Sequence, residues 1–539
     1  MAKDKDQFLN FNGLKHFASK INDIKANLDS PTFTGIPTAP TAENTNSSNQ
    51  IATTKYVQNV VSKLMLDSNN AAQVIVTITP ATEATVTLTN SSSHDVYTAT
   101  TDSAGIATLN VTSYGTFKIA YQSAGAISSV RTIEITTPGK IYQISATYTT
   151  SKVYTVKIDL NNSNPLTCIT YEDDAENMKK GSDDWDNEFI FKDIKPCVFK
   201  NGIVNYYLNK NDFTKKASGE NAVLDGTDGD VMIEFPKFAY KIWKDTQDNK
   251  ILRVSITNNN DYAEQNNYKY YAFSKSKEGD KNYFYWGAFK GSLDEEGKLR
   301  SIPNKQPANS KTISAFKTCA QNNGEGYTIT SYFQLIAVQC LYLIKYGNLN
   351  GQVALGQGIC GRSDKSEESN YGPLVTGGTL TFDAGKKMYY GNTSNSGSST
   401  EYETAKFGHV KFAGIEDFWG NIWEWIDGLI TDSNWNIITN WDYNKENNQE
   451  DFTFTSGLTS NSNGYVSDVS GTTETGFMNI EYKGSATTSF CDYGALCSDR
   501  VLSFGGRWAY GLSVGPFYLS ASYAASYAGV LVGARLMHL

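Results

Sequence analysis

The sequence offers little evidence for metal sites or disulfide bonds built from cysteine. The seven cysteines are an odd number, their spacing is scattered, and no CxxC pair occurs. Zinc sites and disulfide frameworks both need cysteines at close, regular spacings. Cys491 and Cys497 lie close enough in the chain to pair, but we expect free thiols. We predict no cofactor and no metal-ligand set, and the sequence leaves open whether a structural ion binds.

Long apolar runs are also missing. No segment approaches the ~20 apolar residues of a membrane-spanning helix. The first residues, MAKDKDQFLNFNGLKHF, have no apolar signal-peptide core. We therefore expect no membrane insertion, and a protein made and kept in a cytoplasm until another route releases it.

Positive charge and catalytic motifs are scarce. The 47 Lys and Arg residues are outnumbered by 56 Asp and Glu, and the net charge of -9 argues against a nucleic-acid partner. The four histidines are widely separated, and there is no GxSxG elbow and no P-loop. Two carboxylates of a glycosidase need no motif, so that alternative stays open.

The 539 residues are enough for three or four units. In residues 8–27, apolar positions near one helical face predict a short amphipathic helix, so we assign 1–28 to a helical attachment segment. The apolar positions are Leu9, Leu14, Phe17, Ile21 and Ile24. Residues 29–66 contain SPTFTGIPTAPTA and QIATTKYV, followed by a short predicted helix from Val57 to Met65. This segment resembles the short repeat of phage tail fibres, which implies a homotrimer.

Residues 67–150 alternate apolar and polar positions in short runs such as QVIVTIT, ATVTLT and TFKIAY, separated by turn residues. Strands of this length and spacing predict a small immunoglobulin-like β-sandwich. It carries no chemistry, so we interpret it as a spacer.

From residue 151 to 539 the chain is dense in aromatic residues. Ser331–Tyr346 is strongly apolar and follows good capping residues, which predicts a buried helix, and a weaker helix is expected around Lys311–Asn322. Short strands and long polar loops, at 361–403 and 444–475, should make up the rest. The whole chain is thus predicted to be multidomain and mostly β, with α+β character.

Residues 414–428 read GIEDFWGNIWEWIDG. They resemble the GNVWEW motif of the formylglycine-generating-enzyme branch of the C-type-lectin-like fold. The resemblance implies structural support: Trp419, Trp423 and Trp425 fill a core, while Asn421 and Glu424 satisfy nearby groups. A glycan-stacking platform is the alternative.

A buried Glu424 needs a partner, which Arg535 or Arg507 could supply. The enzymes of this branch hold copper with two cysteines near the C-terminal end. Cys491 and Cys497 precede the corresponding region and do not match that pattern, so we expect no oxidase activity. With no other catalytic motif, we predict that the protein is not an enzyme, with a glycan depolymerase as the alternative.

The segment Phe504–Leu536 combines a fixed-looking frame, with GGRW, GPFYL and GARL, and an aperiodic filling of Tyr, Ser, Ala and Gly. It resembles the variable region of diversity-generating retroelement target proteins, which end in a C-type-lectin-like domain. In that family, Asn codons of a template are mutated at adenines. On the family pattern the variable positions are Arg507, Ala509, Tyr510, Ser513, Ser520, Ser522, Tyr523, Tyr527, Gly529 and Leu531.

The resemblance implies a binding face made by these positions. Tyr510, Tyr523 and Tyr527 are the expected anchors, because a tyrosine buries a large ring and keeps a hydroxyl for specificity. Arg507 could contact a carboxylate or phosphate. Structural support beneath the face is expected from Trp508, Phe517 and Tyr518.

Together, the fibre repeat and the C-terminal frame predict a phage receptor-binding protein, made in the host cytoplasm and carried on the virion at a tail or tail-fibre tip. The N-terminus would join other tail proteins, and the C-terminal domain would bind a bacterial surface molecule, protein or glycan, in host attachment and tropism. A tail-borne glycan depolymerase and a cellular surface-display protein are the alternatives. The receptor, the retroelement itself and the virion component that holds the N-terminus lie outside what the sequence determines.

Overall fold

The structure is a computed structural model. It describes residues 71–79, 81, 83–123, 126–127, 131–147, 152–275, 281–361, 372–381, 408–444 and 450–539. The predicted attachment helix, the fibre repeat, the helix at 57–65 and parts of the two predicted loops lie outside these residues.

The described chain is mostly β, as predicted, and divides into two compact units after Tyr148, with Gly125–Ser129 grouped with the second unit. Among the described residues, no helix is both long and apolar enough to cross a membrane.

The first unit consists of short strands, as the alternation predicts. Alternate residues are buried: in Thr85–Asn90 these are Val86, Leu88 and Asn90. Each sheet therefore has one apolar face. One sheet has the order Ile106–Val111, Ala72–Thr79, Ile141–Thr147. In the other, Thr85–Asn90 lies between Val96–Thr100 and Gly115–Ser123, and Arg131–Ile135 pairs with Gly115–Ser123. A further short strand, Ala126–Ile127, lies in the segment that is grouped with the second unit.

The second unit contains three larger sheets among its described residues. A four-stranded sheet has the order Ile169–Asp173, Val153–Asp159, Ile251–Thr257, Ala239–Lys244. A seven-stranded sheet has the order Asp212–Lys216, Ile203–Asn209, Lys195–Lys200, Asp230–Pro236, Tyr283–Gly287, Leu536–His538, Tyr327–Ile329.

The third sheet carries the C-terminal strands. Its order is Phe452–Phe454, Ile437–Thr439, Trp423–Thr431, Val501–Phe504, Leu519–Tyr523, Tyr493–Leu496, Ser462–Tyr465, and Val532–Gly533 pairs parallel to Trp423–Thr431. The remaining strands form two-stranded ribbons: Ser292–Leu293 with Leu299–Arg300, Lys411–Phe412 with Ile415–Glu416, and Asp468–Val469 with Asn479–Glu481.

The predicted helix at Ser331–Tyr346 is present as Tyr332–Tyr346, and every one of its residues is buried. It ends at Gly347, which takes a left-handed φ of 51° that glycine adopts without steric cost. The weaker prediction is also confirmed as Ile313–Gln321, with the Thr312 hydroxyl accepting from the Ala315 N–H. The other described helices are Asn260–Gln265 and Gly351–Leu355, with 3-10 turns at Asp183–Asn187, Tyr271–Phe273 and Gly511–Ser513.

Candidate functional site

The WEW motif and the C-terminal frame meet in one sheet. Trp423–Thr431 pairs antiparallel with Val501–Phe504, and Val501–Phe504 pairs antiparallel with Leu519–Tyr523. Val532–Gly533 then returns beside Trp423 and Glu424. Four strands separated by up to about a hundred residues in the chain are therefore neighbours in this sheet.

Glu424 is buried and ion-paired, as expected for a charge inside a protein. Its Oε1 accepts from Arg535 Nη2 at 2.8 Å and Nε at 3.0 Å, and from Lys290 Nζ at 2.6 Å. Burial opposes ionisation of this carboxyl, but Arg535 and Lys290 outweigh it and hold its pKa below the usual range. Arg535 is thus one of the two predicted partners, whereas Lys290 was missed.

Asn421 satisfies backbone groups, as the motif predicts. Its side chain accepts from Leu374 N at 2.7 Å and donates to Leu374 O at 3.0 Å and to Asp417 Oδ2 at 2.8 Å. The residue itself has a φ of 64°, a left-handed conformation that asparagine tolerates. The buried amide therefore ties the turn before Trp423 to a neighbouring loop.

The predicted anchors pack on the motif tryptophans. Tyr510 lies edge-on to Trp423 with ring centroids 6.0 Å apart, and Tyr523 and Tyr527 lie edge-on to Trp425 at 6.0 and 6.3 Å. Tyr523 and Tyr527 stack on each other at 4.2 Å. We call these three tyrosines the tyrosine cluster.

Aromatic packing continues from the tyrosine cluster to residues outside the segment Phe504–Leu536. Tyr518 packs on Trp423 at 4.6 Å and on Tyr493 at 6.0 Å, and Tyr493 packs on Tyr465 at 5.4 Å. Tyr465 and Tyr493 carry no sequence motif, and only the pairing of their strands brings them here. Sequence reasoning therefore missed both.

The ten predicted variable positions are not equally accessible. Arg507 and Ser520 are each only 5% exposed. The other eight are half-buried: Ala509, Tyr510, Ser513, Ser522, Tyr523, Tyr527, Gly529 and Leu531. The most exposed side chains of the segment belong instead to Leu512, Ser526, Ala528 and Val530.

Arg507 lies beneath the surface rather than on it. Its guanidinium carbon is 4.4 Å from the ring centroid of Tyr510 and 5.3 Å from that of Trp508. Cations are attracted to the faces of aromatic rings. In this conformation Arg507 supports the tyrosine cluster from below.

Two variable positions are sterically coupled. A Cβ added to Gly529 would lie 2.0 Å from the Tyr527 hydroxyl oxygen. Any other residue at 529 must therefore displace Tyr527, which in turn stacks on Tyr523. A change at one position reshapes the cluster.

Of the remaining predicted supports, Trp508 and Phe517 are fully buried and Tyr518 is 7% exposed. Trp419 is also buried and donates from Nε1 to Gln357 O at 3.3 Å. Trp425 donates from Nε1 to Lys311 O at 3.1 Å. All seven cysteines are free thiols in the structure.

His409, Glu416 and Asp417 form a buried cluster whose ligand-type atoms lie within 4.8 Å of one another. His409 Nδ1 is 2.9 Å from Asp417 Oδ2 and 3.5 Å from Glu416 Oε1. Burial disfavours the imidazolium, but the two carboxylates outweigh it and raise the pKa of His409 to about 9. A proton on His409 thus supplies the positive charge that these carboxylates need.

Comparison with protein-family models and with curated proteins gives no match. Among solved structures, PvdO from Pseudomonas aeruginosa is similar at 10% identity over 59% of this chain and 99% of PvdO, with a TM-score of 0.21. The Bacillus anthracis TIE protein matches at 10% identity over 35% of this chain and 44% of its own, with a TM-score of 0.13.

A variant of BcpA, the major pilin subunit of Bacillus cereus, matches at 11% identity over 35% of this chain and 52% of its own, with a TM-score of 0.13. The chain therefore spans about half the length of the last two proteins. At these TM-scores none of the three likenesses bears on function.

Proposed function

We propose that the protein is a phage receptor-binding protein whose C-terminal, C-type-lectin-like domain binds a bacterial surface molecule through a diversified face. The observation that carries this proposal is the tyrosine cluster. Tyr510, Tyr523 and Tyr527 were assigned as variable from sequence, and all three pack on Trp423 or Trp425.

This packing suits a surface whose residues change while the domain stays folded. The supporting tryptophans lie on a nine-residue strand that is almost wholly buried, and Glu424 between them is held by two cations. Half-buried tyrosines above such a base lose little side-chain freedom on binding. At the eight half-buried variable positions, diversity is thereby separated from the buried ion pairs that stabilise the fold.

In this proposal the immunoglobulin-like first unit is a spacer, and the fibre repeat assembles a homotrimer held to the virion by residues 1–28. Three copies of a weak site give avidity, since each further contact is made at high effective concentration. Static light scattering of the purified full chain measures the assembly, and a monomer mass would contradict it.

A triple variant, Tyr510→Ala, Tyr523→Ala and Tyr527→Ala, tests the site. We expect a folded protein with at least a tenfold loss of binding to host cells, because truncated aromatic anchors commonly cost more than 1 kcal/mol each. The control is Tyr97→Ala in the first unit, which also removes a partly exposed tyrosine. Unchanged adsorption by virions that carry the triple variant would refute the assignment of the face.

A further inference from the structure

A second candidate binding site lies away from the tyrosine cluster. Lys317, Asp427 and Asp442 meet in a cavity of about 120 Å³ that opens to solvent. Helix Ile313–Gln321 supplies Lys317, and Asp427 lies at an irregularity in the strand Trp423–Thr431. Asp442 follows the strand Ile437–Thr439.

The three ionisable groups are fixed in place. Lys317 Nζ is 2.5 Å from Asp442 Oδ2 and 3.2 Å from Asp427 Oδ2, and all three side chains are less than a tenth exposed. Asp427 Oδ1 also accepts from the backbone N–H groups of Gly428 and Tyr443, each at 2.9 Å. The cluster therefore forms a fixed, polar side of the cavity.

This side of the cavity carries both hydrogen-bond donors and hydrogen-bond acceptors. Burial raises the pKa of Asp427, with a further contribution from Asp442 that Lys317 opposes. The cavity is lined by two lysines, Lys275 and Lys317, and by two aspartates, Asp427 and Asp442, so the formal charges of these side chains cancel. Ser331, Gln334 and Trp441 also line the cavity.

The size of the cavity limits the ligand. A buried water needs roughly 10–15 Å³ of such space, so the cavity holds on the order of ten non-hydrogen atoms. Mixed donors and acceptors in a lining whose side chains carry no net formal charge suit a compact ligand with many hydroxyl groups. A single hexose has that size and that chemistry.

We propose that the Lys317 cavity binds one sugar unit of a surface glycan. None of the residues named here lies between Phe504 and Leu536, so the site stays constant while the tyrosine cluster varies. Sugar binding in this cavity does not depend on the tyrosine cluster, whereas its part as a second, constant contact with a bacterial surface rests on the proposed function.

The test is titration of the full chain with glucose, galactose, mannose, rhamnose and N-acetylglucosamine, by calorimetry and ligand-observed NMR. We expect saturable binding of at least one sugar with a Kd of about 1 mM, the affinity typical of a ligand of this size. Failure of every sugar to saturate would overturn the proposal.

Matched variants locate the binding. Gln321 lines the cavity and is exposed, whereas Thr318 is exposed on the same helix but does not line it. Gln321→Trp should abolish sugar binding and Thr318→Trp should retain it. Asp442→Asn, which keeps the side-chain shape, should weaken binding at least tenfold.

Equal sugar binding by Gln321→Trp and the parent would overturn the assignment to this cavity. The triple tyrosine variant of the binding face should bind sugars like the parent, so the two proposals fail separately. Release of new reducing ends from a polysaccharide would show catalysis in place of binding and would likewise overturn the proposal.

Discussion

At the scale of single residues, Glu424 shows how a buried charge depends on partners far along the chain. Arg535 donates to Glu424 and also to the carbonyl oxygens of Gly287, Glu416 and Asp417. Lys290 donates to Glu424 and to one carbonyl oxygen. Arg535 therefore makes more hydrogen bonds around Glu424 than Lys290 does.

Arg535→Met should destabilise the protein by about 3–5 kcal/mol, the cost of breaking a buried pair. Lys290→Met should cost less, because it breaks two hydrogen bonds whereas Arg535→Met breaks five, and each variant leaves Glu424 with one cation. Denaturant unfolding measures both. A larger loss for Lys290→Met would show that the lysine, not the arginine, is the main partner of Glu424.

At the scale of elements, the strand Trp423–Thr431 is interrupted where its pairing shifts between Ile426 and Ile430. Gly428 lies there with a φ of 84°, and a Cβ at this position would be 2.3 Å from Asn440 O. Glycine is required at this position because of both the positive φ and the short distance to Asn440 O. This irregularity also aims Asp427 into the Lys317 cavity.

Gly428→Ala should therefore destabilise the protein by about 3 kcal/mol or more, since it adds a backbone clash to the conformational strain. The matched control is Gly297→Ala. Gly297 has a φ of 77° with nothing within 4 Å of an added Cβ, so only the conformational cost of about 1 kcal/mol applies. Equal losses in thermal or denaturant unfolding would contradict the role of the Asn440 contact.

At the scale of the whole molecule, His409 links stability to pH. Its pKa is about 9 in the folded state and 6.5 in an ordinary environment, because Asp417 and Glu416 favour the imidazolium. A raised folded pKa contributes stability that is complete below pH 6.5 and is lost as the pH rises through 9.

We expect the free energy of unfolding to fall by about 3 kcal/mol between pH 6.5 and 9 through this group, at 1.36 kcal/mol per pKa unit. His409→Gln should flatten the profile in this range, and His94→Gln, at an exposed position of the first unit, should leave it unchanged. A slope that persists in His409→Gln would assign the titration to another group.

Much of this architecture follows from local patterns. Alternation predicted the strands of the first unit, and the apolar run with its capping residues predicted Tyr332–Tyr346, because both signals depend on neighbouring residues. The WEW motif also identified the buried tryptophans and the need of Glu424 for a cation. These inferences required no knowledge of how distant segments pack.

Other features depend on contacts that no local pattern encodes. Lys290 was missed as a partner of Glu424, and Tyr465 and Tyr493 were missed beside Tyr518, because strand pairing alone brings them together. The Lys317 cavity joins the helix Ile313–Gln321 to two neighbouring strands that lie about a hundred residues further along the chain. The accessibility of Arg507 was likewise decided by the rings that pack over it.

The sequence by itself therefore determined the mostly β class, the buried helix and the chemical types at the candidate sites. Tertiary structure alone decided which cation meets which carboxylate, which tyrosines share a cluster and where a cavity opens. The physical reason is one of range: propensity and periodicity act over a few residues, whereas ion pairing, ring packing and burial depend on segments that only the folded chain brings into contact.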